Sequence, residues 1–228
     1  MLLDFDGSLS RIVSRPELAR PVEGAREALA ALVPAYRLVG IVTGRRAEEV
    51  AALVEVPGVA HFGLYGLEEA VPELMATVAP QAERAAAVVA EAWVEDKGVS
   101  VAVHYRQAPD PRAARASLLT ALQPVATSAG LEVVEGKMVL ELLPADRPRK
   151  GGAVERIAGE HALEAVLFAG DDVADLDAFS GLDRLAGRGV LALRVAVHGD
   201  ETPEPLLEAA DVVVEGPDGL VELLRQLV

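Results

Sequence analysis

The sequence has no cysteine among its 228 residues. Disulfide bonds, thiolate nucleophiles and zinc–thiolate sites are therefore excluded. Aromatic residues make up only 4%, and no apolar run reaches the roughly 18 residues that predict a membrane span. The first residues read as a strand rather than as a signal peptide. We therefore expect a soluble, cytoplasmic protein with no membrane partner.

Positive charge is also scarce, with 21 Lys and Arg against 36 Asp and Glu and a net charge of −15. A nucleic-acid partner is not expected, because binding to a phosphate backbone depends on clustered cations. An acidic protein that binds a phosphate must gather its positive charge locally, from Lys, Arg or a metal ion. The hydrophobic content of 51% allows a substantial core, and the length allows one large domain or two small ones.

Two carboxylates stand close to the start of the sequence. Asp4 and Asp6 follow an apolar lead and precede Gly7, so a strand would place both acids on one face at its carboxyl end. Gly7 permits the sharp turn that ends the strand. Two neighbouring carboxylates repel each other, and a hard cation such as Mg²⁺ relieves that repulsion. Alone, this pattern also fits a solvated turn.

Three further stretches occur in a fixed order after this acid pair. An apolar run at 38–42 ends in Thr43-Gly44-Arg45, Lys150 opens a helical pattern, and an apolar run at 165–169 leads into the acids of 170–175. Acid pair, hydroxyl, lysine and second acid cluster resemble the four motifs of the haloacid dehalogenase superfamily of phosphotransferases. The resemblance implies phosphoryl transfer through an aspartyl-phosphate.

The resemblance also implies a role for each motif residue. Asp4 would attack phosphorus, and Asp6 would serve as general acid and then as general base. Thr43 and Lys150 would hold the phosphate oxygens. The predicted Mg²⁺ ligands are Asp4, Asp6, Asp171 and Asp172. Lys150 would also hold the Asp4 carboxylate, and Asp175 could orient Lys150. The predicted supporting residues are Gly7, Ser8, Gly44 and Asp175.

Each motif also has a simpler interpretation. Thr43-Gly44 could be a plain strand-to-helix turn, Lys150 a solvated lysine, and the acids of 171–175 a helix cap. Phospho-receiver domains, which signal rather than turn over, also place acids, a hydroxyl and a lysine at a sheet edge. They have about half this length, an adjacent acid pair and the phosphorylated Asp on a later strand. The Asp-x-Asp pair on the first strand favours the phosphatase interpretation.

The periodicity along the chain predicts an α/β fold with two domains. Apolar strands alternate with helices at both ends of the sequence, which predicts a doubly wound, Rossmann-like parallel sheet over 1–69 and 146–228. Between them, a long helix over 72–93, an alternating strand over 99–105, a helix and a hairpin predict an α+β domain over 70–145. Within the superfamily this corresponds to an inserted cap domain of the C2B type.

The cap carries a second resemblance, which extends over nearly the whole sequence. Stretches 94–106 and 136–144, with the opening 15–21 and the acidic stretch 170–179, resemble trehalose-6-phosphate phosphatases. This implies Mg²⁺-dependent release of phosphate from trehalose 6-phosphate. We expect a monomer that acts on a small phosphosugar, with no nucleic-acid partner. The residues predicted to bind substrate are Arg45, Glu95, Lys97, His104, Arg106 and Glu141. An unbroken strand would place Lys97 and Arg106 on opposite faces, so we expect a bend at Gly98.

Some positions depart from the family pattern. Ser8 replaces the usual Thr, Tyr65 replaces a His, and Ala174 and Leu176 replace a Thr and a Glu. The core chemistry is retained despite these changes. Other glycosyl phosphates, such as sucrose phosphate or glucosylglycerol phosphate, remain alternative substrates. A further alternative is a phosphosugar sensor without catalytic activity.

Overall fold

The computed structural model describes residues 1–66, 72–145 and 149–228. The chain divides into two compact units, Met1–Gly66 with Pro148–Val228 and Leu67–Arg147, here called the core and the cap. The domain boundaries predicted from the sequence, at 69/70 and 145/146, fall within or beside the stretches that lie outside the described residues. Within the described ranges, no helix combines the length and the apolar character needed to cross a membrane.

The secondary structure follows one order along the chain. The strands are β1 (Leu2–Leu3), β2 (Gly40–Val42), β3 (Ala60–Phe62), β4 (Trp93–Asp96), β5 (Val101–His104), β6 (Leu131–Gly136), β7 (Val139–Pro144), β8 (Ala165–Gly170), β9 (Leu191–His198) and β10 (Val212–Glu215). The helices are α1 (Ala25–Leu32), α2 (Ala47–Val54), α3 (Pro72–Ala86), α4 (Pro111–Ala129), α5 (Lys150–Glu160), α6 (Val173–Ala186), α7 (Glu204–Ala209) and α8 (Gly216–Gln226). Short 3-10 turns lie at Pro16–Leu18 and Gly63–Gly66.

The core is built on a six-stranded sheet with the order β10-β9-β8-β1-β2-β3. All its neighbouring strands pair in parallel. The sheet is covered on both faces, because Leu3 packs with α1, α2 and α8 whereas Leu2 packs with α5, α6 and α7. This alternation of successive side chains explains why the strands read as continuous apolar runs. The predicted doubly wound α/β fold is confirmed.

The cap is a four-stranded antiparallel sheet with the order β4-β5-β7-β6. Val101 and Val103 of β5 point to one face, where α3 and α4 cover them with a separate apolar core. The intervening residues of each strand point to the opposite face, where the register aligns Glu95, Ala102 and Glu141 in one row across three strands. The polar side chains of that row therefore share the face that α3 and α4 leave uncovered.

One predicted element of the cap is wrong. The sequence predicted a single helix over 72–93, but α3 ends at Ala86 and a strand begins at Trp93. Glu91 adopts a left-handed conformation, with φ of 60°, which interrupts any helix. Trp93–Asp96 then pairs antiparallel with β5. The alanines at 85–87 favour a helix, but pairing of the aromatic and β-branched residues that follow decides the structure.

Candidate active site

The motifs meet at one edge of the core sheet because their strands are neighbours. β1 lies between β8 and β2, with Leu2 aligned to Phe168 and to Gly40. The residues that follow these three parallel strands therefore emerge side by side, at the edge where open α/β sheets hold ligands. Gly7 makes the approach possible: its φ is +90°, and a Cβ there would lie only 2.1 Å from Asp171 Oδ2. Any other residue would be strained and would push Asp171 away.

Lys150 contacts acids from two of the other motifs. It is the first residue of α5 and is 4% exposed. Its Nζ donates to Asp4 Oδ1 at 2.7 Å and to Asp175 Oδ1 at 2.5 Å. The other oxygen of Asp175 accepts the backbone N–H groups of Asp171 and Asp172, at 2.8 and 2.9 Å. Asp175 thereby ties the lysine to the loop that follows β8.

The cluster buries three acids, Asp4, Asp171 and Asp175, with one cation, Lys150. Burial, reinforced by the negative charges of Asp175 and Asp171, raises the pKa of Asp4 well above its ordinary value, although Lys150 acts in the opposite direction. Burial alone would lower the pKa of Lys150, but the carboxylates of Asp175 and Asp4 outweigh it and raise that pKa. Lys150 is therefore held as an ammonium ion, while three acids compete for its single charge.

The buried acids offer a site for a divalent cation. Asp4, Asp171 and Asp175 each present a ligand atom, and these atoms lie within 4.8 Å of one another. Carboxylate oxygens are the ligands that Mg²⁺ prefers, and a cation would offset the burial that, together with the neighbouring acids, raises the pKa of Asp4. Asp175, predicted only as a supporting residue, belongs to this cluster. Asp6 and Asp172, predicted as ligands, do not belong to it; Asp172 Oδ1 caps α6 by accepting the Ala174 N–H at 2.6 Å.

Asp6 is held by Arg45 instead. The guanidinium donates Nε and Nη2 to the two carboxylate oxygens, each at 2.6 Å. Arg45 also donates Nη1 to the Pro16 carbonyl and lies over the Phe5 ring, 5.5 Å from its centroid. Such a bidentate pair fixes both partners. The structure thus places Arg45, predicted to bind substrate, on the residue predicted to be the general acid and base.

Thr43 and Ser8 are buried polar residues at the same edge. Thr43 Oγ1 accepts the Arg45 N–H at 3.1 Å, so its own hydroxyl proton remains able to donate to a phosphate oxygen. Ser8 Oγ donates to Asp171 Oδ1 at 3.3 Å, which a Ser performs as well as the usual Thr. A Cβ on Gly44 would lie 3.1 Å from the Tyr65 hydroxyl. That aromatic ring also lies 5.7 Å from Lys150 Nζ.

The residues predicted to bind the sugar form two contacts on the uncovered face of the cap sheet. Glu95 Oε2 and His104 Nε2 lie 2.8 Å apart. Glu141 Oε1 accepts Lys97 Nζ at 3.0 Å and Ser100 Oγ at 2.6 Å. The expected bend lies at Gly98, with φ of +77°, and the Lys97 N–H closes the turn onto the Ser100 carbonyl at 3.0 Å. This turn brings Lys97 to Glu141.

Arg106 lies at the other end of β5. Its Nη2 donates to the Lys137 carbonyl at 3.0 Å, in the turn between β6 and β7. Trp93 extends the face in this direction, because its ring stacks on His104 with centroids 4.1 Å apart and planes within 8°. Sequence reasoning placed Trp93 in a helix and overlooked it. The available signal was its position two residues before Glu95, which in a strand puts both on one face.

Comparison with known proteins identifies relatives along the whole chain. The family model described as trehalose-phosphatase matches residues 2–205. The chain is similar to a trehalose-phosphate phosphatase of Mycobacterium avium, with 34% identity over 222 residues that cover 88% of this chain and 55% of that protein. It is also similar to an uncharacterized glycosyl hydrolase of Mycobacterium tuberculosis, with 35% identity over 249 residues that cover 100% of this chain and 18% of that protein. The chain thus spans only part of these relatives.

The fold has solved counterparts. The C-terminal domain of a Candida albicans trehalose-6-phosphate phosphatase superimposes with a TM-score of 0.83 at 22% identity, covering 99% of this chain and 91% of that one. At that identity the likeness concerns the fold alone. The match over residues 2–205 includes all four core motifs and the cap stretches, and it confirms the resemblance inferred from them. The chain is a member of the trehalose-phosphatase family.

Proposed function

We propose that this chain hydrolyses trehalose 6-phosphate to trehalose and phosphate, with Asp4 as nucleophile and Mg²⁺ as cofactor. The observation that carries the proposal is the buried contact of Lys150 with Asp4 and Asp175 at the carboxyl edge of the sheet. Burying a lysine and three acids costs free energy, and the phosphatase chemistry expected from the family explains why these charged groups are present. The substrate rests on the family and on the polar face of the cap.

The side chains of the core divide the reaction between them. Asp4 attacks phosphorus and forms an aspartyl-phosphate, while Asp6 protonates the leaving sugar oxygen. Asp6 then takes a proton from the water that hydrolyses this intermediate. Arg45 donates one hydrogen bond to each oxygen of Asp6 and so fixes the orientation of this carboxyl group, while each oxygen keeps a further lone pair. Thr43 and Lys150 stabilise the charge on the phosphate oxygens.

Asp4, Asp171 and Asp175 are the residues that would hold Mg²⁺. The ion would neutralise charge that a single Lys150 leaves uncompensated. Ser8 orients one of these ligands, Asp171, through its hydroxyl. Asp6 and Asp172, the other two ligands predicted from the sequence, lie outside this cluster.

In the cap, we assign sugar binding to the face that carries Glu95, Lys97, His104 and Glu141, with Arg106 at its end. Carboxylates held by fixed donors can accept hydrogen bonds from sugar hydroxyls, and Ser100 and Lys97 hold Glu141 in this way. The ring of Trp93 adds an apolar surface, which suits the C–H face of a pyranose. Hydrogen-bond donors and acceptors beside an aromatic ring suit a leaving group that is rich in hydroxyl groups.

Phosphate release measured across a panel of substrates with Mg²⁺ tests the proposal. The panel contains trehalose 6-phosphate, sucrose phosphate, glucosylglycerol phosphate and a small aryl phosphate, and Asp4→Asn serves as the inactive control. We expect the highest kcat/KM for trehalose 6-phosphate. A higher value for another glycosyl phosphate would reassign the substrate. No release from any of them, although trehalose 6-phosphate binds, would identify a sensor.

Binding can be followed separately from turnover, because Trp93 is the one tryptophan of the sequence. Its ring stacks on that of His104, on the face assigned to the sugar, so a bound sugar would change its surroundings. We therefore expect trehalose 6-phosphate to change the fluorescence of the Asp4→Asn protein in a saturable way. Inorganic phosphate alone should leave the emission unchanged, and a signal that follows phosphate rather than sugar would remove Trp93 from the sugar site.

A further inference from the structure

The start of α5 poses an electrostatic problem. Lys150 is the first residue of the helix, where the helix dipole disfavours a cation. The N-cap, Arg149, makes no capping hydrogen bond through its side chain. A buried lysine at an uncapped N-terminus needs compensation, and Asp4 and Asp175 supply only part of it. They contact the ammonium group and leave the first backbone N–H groups of the helix without acceptors.

Asp177 supplies an acceptor from the neighbouring helix. It lies on α6, two residues after Asp175, and its Oδ2 accepts the backbone N–H of Gly151 at 2.7 Å. The side chain of Asp177 thus caps α5 from outside that helix. One short segment of α6 therefore contacts α5 at two places near Lys150. Asp175 binds the ammonium group of Lys150, and Asp177 binds the backbone N–H of the next residue, Gly151.

The helices can meet in this way only because glycines line the contact. A Cβ on Gly151 would lie 2.1 Å from the Asp177 carbonyl oxygen, and a Cβ on Gly181 would lie 2.5 Å from the Gly151 carbonyl oxygen. Backbone atoms at such distances cannot yield without separating the helices. Gly152 is different, because a Cβ there would meet nothing within 4 Å.

We propose that Asp177 is a positioning residue, which acts through the Gly151 amide to set where Lys150 meets Asp4 and the phosphate. The proposal rests on the proposed function, because it takes the reaction of Asp4 as given. It adds a residue that never touches the substrate. Reaction rates depend on such placement, since a displacement of about 1 Å can cost about a hundredfold in rate.

The chain offers matched variants for a test. Asp177→Ala removes the cap, Asp177→Asn keeps an acceptor for the Gly151 N–H, and Gly151→Ala separates the helices. Gly152→Ala is the control for the added methyl group. Glu155→Gln is the control for the contact between helices, because Glu155 of α5 binds Arg184 of α6 at 2.6 Å and Arg188, two residues beyond the end of α6, at 2.8 Å, away from Lys150.

Two measurements apply to each variant. The first is kcat and KM for trehalose 6-phosphate and for an aryl phosphate, with Mg²⁺. The second does not need activity: acetylation of lysines by a water-soluble succinimidyl ester, read by mass spectrometry. The sequence has only three lysines, so Lys97 and Lys137 serve as internal references for Lys150, whose side chain is 3% exposed.

We expect Asp177→Ala and Gly151→Ala to lower kcat on both substrates by about tenfold to a hundredfold, with little change in KM. The same two variants should accelerate acetylation of Lys150 relative to the reference lysines. Asp177→Asn, Gly152→Ala and Glu155→Gln should behave like the wild type in both measurements, whatever their effect on Tm.

Two results would overturn the proposal. One is unchanged acetylation of Lys150 in Asp177→Ala. The other is a loss of kcat in Glu155→Gln equal to that in Asp177→Ala, which would reduce Asp177 to a general stabiliser of the helix pair. If the wild type releases no phosphate, the proposed function fails, whereas the acetylation pattern still decides whether Asp177 positions Lys150.

Discussion

Replacing Glu141 separates substrate recognition from chemistry. Its carboxylate belongs to the cap, where Lys97 and Ser100 hold it. The groups proposed to act on phosphorus all belong to the core. If Glu141 accepts a sugar hydroxyl, then Glu141→Ala should weaken the reaction of trehalose 6-phosphate and spare that of an aryl phosphate, which carries no sugar.

The size of the effect follows from the kind of bond that is lost. A hydrogen bond to a charged group contributes about 1.5–3 kcal/mol. At about 1.4 kcal/mol per factor of ten, kcat/KM for trehalose 6-phosphate should fall by about tenfold to a hundredfold. Lys97→Ala and Arg106→Ala should show losses of the same order. Glu141→Gln keeps the shape and one acceptor, so its loss should be smaller.

Steady-state phosphate release on the two substrates is the assay, and Glu135→Ala is the matched control. Glu135 lies on the same cap sheet but binds Arg115 at 2.6 Å as an exposed surface pair, so neither substrate should be affected. Equal losses on both substrates in Glu141→Ala would show that Glu141 supports the cap rather than the sugar. No loss on either would refute the assignment and leave Lys97 and Glu141 as an ordinary ion pair.

Four further perturbations test the core. Asp4→Asn should abolish phosphate release while far-UV circular dichroism stays unchanged; activity near the wild-type level would exclude Asp4 as the nucleophile. EDTA should abolish phosphate release and added Mg²⁺ should restore it, and full activity in EDTA would contradict the metal assignment. Arg45→Ala should lower kcat on both substrates, because it releases Asp6; a change confined to KM for the sugar substrate would return Arg45 to substrate binding. Burial lowers the pKa of His61 below 6.5, and its Nε2 has no hydrogen-bond partner among the described residues. The unfolded state therefore binds the proton more readily than the folded state, so the free energy of unfolding should fall as the pH drops below 6.5. His61→Gln should lose less stability than the wild type between pH 7.5 and 5.5.

The sequence was sufficient for the core because its signals are local. β1, β2 and most of β8 are buried on both faces, so they read as continuous apolar runs, and the residue after each of these runs starts a motif. The strand predicted over 165–169 and the observed β8, Ala165–Gly170, differ by one residue. The carboxyl ends of β8, β1 and β2 meet at one edge of the sheet, where open α/β sheets hold ligands, and the resemblance to the four motifs implied this convergence.

Pairing partners were harder to predict, because they depend on the direction of side chains in space. Asp6 stands two residues from Asp4, which predicted a shared ligand, yet it turns to Arg45. Asp175, three residues after Asp172, was predicted to orient Lys150, and the structure shows that contact together with the capping contacts to 171 and 172. The pairing of Asp6 with Arg45 does not follow from spacing alone.

Strand β4 of the cap, which was not predicted from the sequence, shows where local preference fails. Alanines at 85–87 favour a helix, and the residues just before Trp93 do not show that Trp93–Asp96 pairs with another strand. The partner lies beyond the turn at Gly98, and pairing with β5 stabilises the strand only once that turn has closed. The same turn carries Lys97 to Glu141 and, through the register, puts Trp93 against His104. A helix through Trp93 would leave the uncovered face of the cap sheet without Glu95 and Trp93, so the strand that sequence reasoning missed is also the one that assembles the proposed sugar site.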